Sequence, residues 1–174
     1  MRRLGELLLL PFVALAILAA DQVTKSLVVA HLQPGQSIEL APWLTPVFVV
    51  TRVSNTGVAF GMLQGMSDIL AVVTLFVVGM LLLYYRHLPP GQPLLRVALG
   101  FQLGGATGNL IDRLLRGLVV DFIDLNFWPM KNWPVSNVAD ICIVTGVILL
   151  ALLMVWEQWQ ETRRQKALSV EEAG

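Results

Sequence analysis

Four stretches of this chain are too apolar to be solvated by water, and that property decides what it can fold into. A helix needs about 20 residues to cross a hydrocarbon layer, and residues 69–85, 94–111 and 138–156 approach that length with mostly apolar side chains. The first stretch is less clean: an apolar run over 7–20 meets Asp21, Gln22 and Lys25 before 27–30 resume it. Two readings compete. Arg2 and Arg3 ahead of a run ending in Leu18-Ala19-Ala20 fit a removable secretory signal. Alternatively, residues 7–29 form one span, about 35 Å long at 1.5 Å per residue. With three further spans following, the uncleaved span is the expectation.

Composition agrees. Hydrophobic residues make up 56% of the 174 and charged ones 14%, where a soluble domain carries about 25% charged residues. The expected fold class is therefore membrane α-helical: four transmembrane helices with a small β-rich subdomain on the outer face, all in one integral membrane domain over 1–174. Lys plus Arg and Asp plus Glu each number 12, for a net charge of 0. No basic run is long enough to follow a phosphate backbone, so nucleic acid is not an expected partner. Cys142 is the only cysteine, which excludes an internal disulfide or a thiolate metal cage.

Four spans bring both termini to one side of the membrane. The positive-inside rule makes that side cytoplasmic, with Arg2, Arg3, Arg86, Arg96, Arg163, Arg164 and Lys166 against Lys25, Arg52, Arg113, Arg116 and Lys131 outside. The compact turn through Pro89-Pro90-Gly91 strengthens the assignment, because it carries Arg86 and Arg96 close to the membrane. Tyr84, Tyr85, Trp156 and Trp159 mark the inner boundary, while Trp43, Trp128 and Trp133 lie in the outer connections. The outer connection over about 35–65 contains a Val-, Thr- and Ile-rich segment broken by Pro42 and Pro46, which predicts short strands. Residues 117–125 predict another strand, and 157–174 a polar cytoplasmic tail that extends the last helix.

Counted from the inner ends of their spans, Asp21, Asp112 and Asp140 lie about 21, 27 and 24 Å across. A charge inside a bilayer costs roughly 2.5–3.5 kcal/mol on insertion scales, so each needs a reason to be there. Residues three or four apart share a helix face, which groups Asp21 with Lys25, Asn109 with Asp112 and Arg113, and Asn137 with Asp140. Lys25 and Arg113 are expected to keep the neighbouring acids ionised and to bind the bundle together.

Asp121 and Asp140 differ, since neither has a base at matching spacing. Asp121 interrupts an apolar strand, Leu118-Val119-Val120 before it and Phe122-Ile123 after it. Asp140 opens the last helix, where an anion is stabilised by about 0.3–1 kcal/mol, although Asn137 can fill that role as N-cap. Spacing alone leaves a catalytic pair and two structural acids equally open.

The remaining polar and small residues read more simply. Gly100, Gly104 and Gly108 form a stripe that lets another helix approach closely; Gly104-Gly105 lacks the Lys and Ser/Thr of a phosphate loop. In Asn55-Thr56-Gly57-Val58-Ala59-Phe60-Gly61, Gly57 and Gly61 permit positive φ. This segment is either a plain turn or a polar lip whose Asn55 amide orients a substrate backbone. Cys142 lies about 200° around the helix from Asp140 and reads as a packing residue. His31 and His87 fall on opposite sides of the membrane, which disfavours a Cys/His nucleophile or a His-based metal site. Asp124 is expected on the solvent face of its strand.

Taken in order, these residues resemble the lipoprotein signal peptidases, the bacterial type II signal peptidase family. The resemblance rests on Asp21-Gln22 with Lys25; Asn55, Gly57, Ala59 and Phe60; Gly104-Gly105, Gly108-Asn109 and Asp112-Arg113; Val119-Val120-Asp121-Phe122; and Asn137, Ala139 and Asp140. It implies an aspartyl endopeptidase of the bacterial inner membrane with its site toward the outer leaflet; a monomer is the expectation, although the sequence does not fix the oligomeric state. It would remove signal peptides from diacylglyceryl-modified prolipoproteins by cutting before the lipidated cysteine. Asp121 and Asp140 would be the catalytic pair, with Asp21, Lys25, Asn55, Gly57, Asn109, Asp112, Arg113 and Asn137 binding substrate or supporting the site. The partners implied are lipidated prolipoproteins and membrane lipid, with neither metal nor organic cofactor. One departure is visible: Ser136 stands where the family commonly has Phe.

The chemistry explains why two carboxyls belong together. At about 4 Å and an effective dielectric near 20, two carboxylates repel by roughly 4 kcal/mol, which separates their titrations by about three pK units. One proton is then shared, and the ionised member can activate water while the other protonates the scissile carbonyl. A proton-coupled transporter also buries acids, but it needs a polar path, and 72–83 and 144–154 contain no titratable residue. A purely structural protein is the third reading and would tolerate neutral replacements at both acids.

Overall fold

The computed structural model describes residues 2–58 and 61–172. In chain order these form α1 (Arg2–His31), β1 (Ser37–Ile38), β2 (Phe48–Asn55), α2 (Ser67–Tyr85), α3 (Pro93–Arg116), β3 (Val119–Leu125), a single 3-10 turn (Met130–Asn132) and α4 (Val138–Glu172). Helix α1 runs unbroken through Ala20. Helix α4 continues well beyond 156, so much of the polar tail is one helix with the last apolar segment.

Among the described residues, three helices are long and apolar enough to cross a bilayer: Gly5–His31, Ser67–Tyr85 and Val138–Gln165. Helix α3 is not among them, which differs from four spans recognisable by apolarity alone. The reason is its position. α3 packs against α1, α2 and α4, and buries Arg96, Asn109 and Asp112 together with its small residues. An interior helix meets protein more than lipid, so it can carry polar groups that find partners inside the bundle. The outer helices show the complement: Val72, Phe76, Leu152 and Met154 are between 62% and 70% exposed, a surface suited to hydrocarbon rather than water.

The glycine stripe brings α3 close to its neighbours. A Cβ on Gly104 would fall 2.6 Å from the Ala14 carbonyl of α1, and one on Gly105 would fall 2.5 Å from the Ala139 carbonyl of α4. No side chain fits at either crossing. At the end of α3, Gly117 adopts φ 70° as a left-handed cap and donates its N–H to the Arg113 carbonyl. That cap turns the chain directly into β3.

The sheet has order β1-β2-β3 and is antiparallel throughout. Val53 is paired with Asp121 and Asn55 with Val119, beyond an irregularity between Val50 and Val53. Its inner face packs Val50, Val120 and Phe122 on Val28 and Leu32 at the end of α1, so the sheet caps one end of the bundle. At the other end, Tyr85 donates its hydroxyl to the Leu7 carbonyl, and the Gly91 N–H donates to Glu6 at 2.8 Å. The α2–α3 turn is thereby fastened to the start of α1.

Candidate active site

Lys25 organises the polar centre of the bundle. Its ammonium lies 2.8 Å from Asp21 and 3.1 Å from Asp112, and all three side chains are 0% exposed. It also donates to Asn109 Oδ1 at 2.8 Å. Three donors meet three acceptors, which is the condition under which a buried ammonium is tolerated.

Both acids of this clasp then reach one element further. Asp21 Oδ1 accepts the Ala139 N–H at 3.0 Å, and Asp112 Oδ2 accepts the Val120 N–H at 3.1 Å. Ala139 and Val120 immediately precede Asp140 and Asp121. The clasp therefore fixes the backbone from which each of those two carboxyls projects.

Amides fix the carboxyls themselves. Asp121 accepts from Asn137 at 2.7 Å on Oδ1 and from Asn55 at 2.9 Å on Oδ2. Asp140 accepts from Asn109 Nδ2 at 2.7 Å on Oδ1; its Oδ2 accepts no hydrogen bond from any described residue. The direction of each amide is forced by its partners. Lys25 can only donate, so Asn109 turns its oxygen to Lys25 and its NH2 to Asp140. Asn137 accepts the Asp140 backbone N–H at 2.9 Å as N-cap of α4, so its NH2 faces Asp121 and, at 3.2 Å, Asn109 Oδ1.

Asp121 and Asp140 line a common cavity of about 220 Å³ with Asn55, Gly57, Asn109 and Arg113. The Asp121 carboxyl is pushed up to about 7, first by burial and next by the charge of Asp140; the Asn55 and Asn137 hydrogen bonds and the Lys25 charge oppose the rise. It therefore carries a proton far above the usual carboxylate range.

Several expectations need correction. Arg113 does not pair with Asp112. Neighbours in sequence point about 100° apart on a helix, and Arg113 instead donates to the Gly57 carbonyl at 3.2 Å. Arg116, one turn further along, takes the Asp112 ion pair. The i, i+4 spacing of 112 and 116 carried that signal. Gly57 is not a positive-φ residue, whereas Gly61 is, with φ 70°; Gly57 is required because a Cβ there would lie 2.2 Å from the Met62 carbonyl. Gln22, which sequence spacing does not mark as a site residue, also contributes: its amide donates to Asp21 at 3.1 Å, to the Gly108 carbonyl at 3.1 Å and to Asp112 at 3.4 Å. Asp124 is only partly exposed and accepts from Thr51 at 2.8 Å. Ser136 holds β3 through its backbone, accepting from Phe122 and Ile123, so its side chain does not decide where Asp121 sits. Cys142 is buried, and His31 and His87 cap their own helices at the Leu27 and Leu83 carbonyls. Ala59 and Phe60 lie outside the described residues.

The pattern described as signal peptidase (SPase) II matches residues 13–156 of the chain. The chain belongs to the signal peptidase II family. Its relatives include a lipoprotein signal peptidase of Moorella thermoacetica, 45% identical over 87% of this chain and 99% of that protein. Another, from Bacillus subtilis, is 42% identical over 88% of this chain and 97% of that protein. A solved structure described as a bacterial membrane enzyme superposes with TM-score 0.76 at 30% identity, covering 86% of this chain and 88% of that one. As a signal peptidase II, the protein is a membrane hydrolase that removes signal peptides from prolipoproteins.

Proposed function

We propose that Asp121 and Asp140 are the catalytic pair of this signal peptidase II, and that it cuts immediately before a diacylglyceryl-modified cysteine. The observation that carries this reading is the shared cavity, in which both carboxyls are aimed by amides and one Asp140 oxygen accepts no hydrogen bond from the described residues. Charge supports it too. Lys25 and Arg116 balance Asp21 and Asp112, which leaves Arg113 beside two carboxyls. The cavity is neutral when those two carry one proton between them, the protonation state that aspartyl hydrolysis requires.

In the reaction, the ionised carboxylate takes a proton from water as the water oxygen adds to the scissile carbonyl carbon. The protonated carboxyl gives its proton to the carbonyl oxygen, forming a tetrahedral diol. Collapse breaks the C–N bond, a proton passes to the departing nitrogen, and the pair regains its single shared proton. Asn55, Asn109 and Asn137 hold the carboxyls in place, and Arg113 holds the Gly57 carbonyl at the cavity rim. Neither metal nor organic cofactor enters these steps.

In the same reading, α3 is the fourth span, shielded by α1, α2 and α4. The protein is a monomer of the bacterial inner membrane with both termini cytoplasmic and the sheet toward the outer leaflet. There a lipidated cysteine can leave its acyl chains in the bilayer while its peptide bond enters the cavity, so the partners are lipidated prolipoproteins and the surrounding lipid. Asp121→Asn and Asp140→Asn are each expected to lower cleavage of a purified lipidated prolipoprotein by about 1000-fold or more, with membrane insertion retained. Normal processing by either variant would overturn the assignment.

A further inference from the structure

The catalytic cavity continues inward as a groove that the reaction steps above do not use. Asn109, Arg113 and Ile143 line both the cavity and a second space of about 260 Å³, which runs down α3 past Ala106 to Gln102, with Val73, Thr74 and Val77 of α2 as its far wall. α2 packs chiefly on α3, while α4 packs on α3 and α1, so α3 forms the floor between two walls. Val73 and Val77 are 53% and 44% exposed, which leaves the groove open sideways to lipid. Its continuity with the cavity identifies the occupant as the signal helix of the substrate, reaching inward from the bond being cut.

One group on the floor does not match an apolar helix. The Gln102 amide makes no hydrogen bond with any described residue, although an unpaired amide in hydrocarbon is costly. Its stem is seated firmly, because a Cβ on Gly146 of α4 would lie 2.9 Å from Gln102 Cγ; the absence of a side chain at Gly146 makes room for it. Across the groove, the Thr74 hydroxyl donates to its own helix at the Leu70 carbonyl, 2.6 Å away, and keeps acceptor capacity toward the groove.

We propose that Gln102 is a specificity-determining residue that hydrogen-bonds a hydroxyl or amide side chain on the signal helix. Gln102 lies seven residues inward of Asn109, about 10 Å along α3. A peptide in the bilayer satisfies its backbone by staying helical, so the residue read is about seven positions before the cleaved bond. The inference rests on Asp121 and Asp140 being the catalytic pair.

The test uses the full-length purified enzyme and a lipidated prolipoprotein whose apolar segment is all leucine, with a single serine moved through positions four to ten before the cleaved bond. Serine near position seven is expected to raise kcat/KM about threefold over leucine, the strength typical of hydrogen bonds between membrane helices, with the gain in KM. Gln102→Met keeps the length and removes the amide, and is expected to bring the serine-to-leucine ratio to about one. Gln102→Asn keeps the amide and is expected to hold the ratio above one. A flat scan in the unaltered enzyme, or an unchanged ratio in Gln102→Met, would overturn the inference. Each ratio compares two substrates in one preparation, so it does not depend on how much enzyme folds. Failure of the catalytic pair shows separately, as normal turnover by Asp140→Asn.

Discussion

Lys25 shows how much one buried charge can organise. Replacing it with Met leaves Asp21 and Asp112 facing each other inside the bundle, with Arg116 compensating only Asp112. Removing one partner from a buried ion pair typically costs about 3–5 kcal/mol. Lys25→Met is expected to lower the thermal unfolding midpoint sharply, and adding Asp21→Asn should recover part of that loss. Asp121 gives the opposite signature. Its folded-state midpoint of about 7 lies above its ordinary value of 3.8, so between those values the folded protein holds a proton that the unfolded chain has released. Stability contributed by this group therefore falls as pH rises from about 4 to 7 and is level above that. Asp121→Asn is expected to gain stability relative to the unaltered protein over that window, followed by unfolding in detergent at a series of pH values. If Asp121 and Asp140 work as the proposed pair, cleavage by the unaltered enzyme declines as pH rises through about 7 and Asp121 loses its proton. At this scale the sequence revealed the Asp21/Lys25 pair through helical spacing and the Asn137 cap through its position ahead of an apolar run. The Lys25–Asp112 bond was hidden because nothing local relates residues on different helices.

Among the elements, α3 is the one on which the others are assembled, and its glycines set the spacing. Gly105→Ala would press a methyl group against the Ala139 carbonyl, a backbone atom that Asp21 already holds through the adjoining N–H. The helices must separate, at a cost of about 1–3 kcal/mol for overpacking, and Asp140 moves with α4. A lower unfolding midpoint and impaired cleavage are expected together. Gly79→Ala on α2 is the control, since nothing lies within 4 Å of that site, and an exposed helix gains roughly 0.5–1 kcal/mol from the change. The apolar runs and the strand through Asp121 were legible in the sequence because burial imposes their periods. The register of β2 on β3 was not, since it depends on an irregularity at Val50–Val53 that leaves no compositional trace.

For the whole molecule, the sheet at one end and the long polar end of α4 at the other define opposite poles. With Cys142 replaced by Ser, single cysteines at the exposed positions Glu39 and Glu161 report on each pole. In intact cells, a membrane-impermeant thiol reagent is expected to label Glu39→Cys and to spare Glu161→Cys until the membrane is opened. Reversed labelling would invert the proposed orientation. Apolar length singles out α1, α2 and α4 among the described residues, whereas α3, proposed as a fourth crossing, needs the packed bundle to explain how a helix carrying Arg96, Asn109 and Asp112 is accommodated.

The reach from Lys25 to Asn109 spans 84 residues of chain, and this has a consequence for biogenesis. At a synthesis rate of about 5–20 residues per second, the ribosome delivers the acceptor roughly 4 to 17 s after the donor. Throughout that interval Asp21 is the one partner of the Lys25 ammonium already made, since Asn109 and Asp112 both arrive with the third helix. The late-made half of the protein thereby completes a clasp that the early-made half begins.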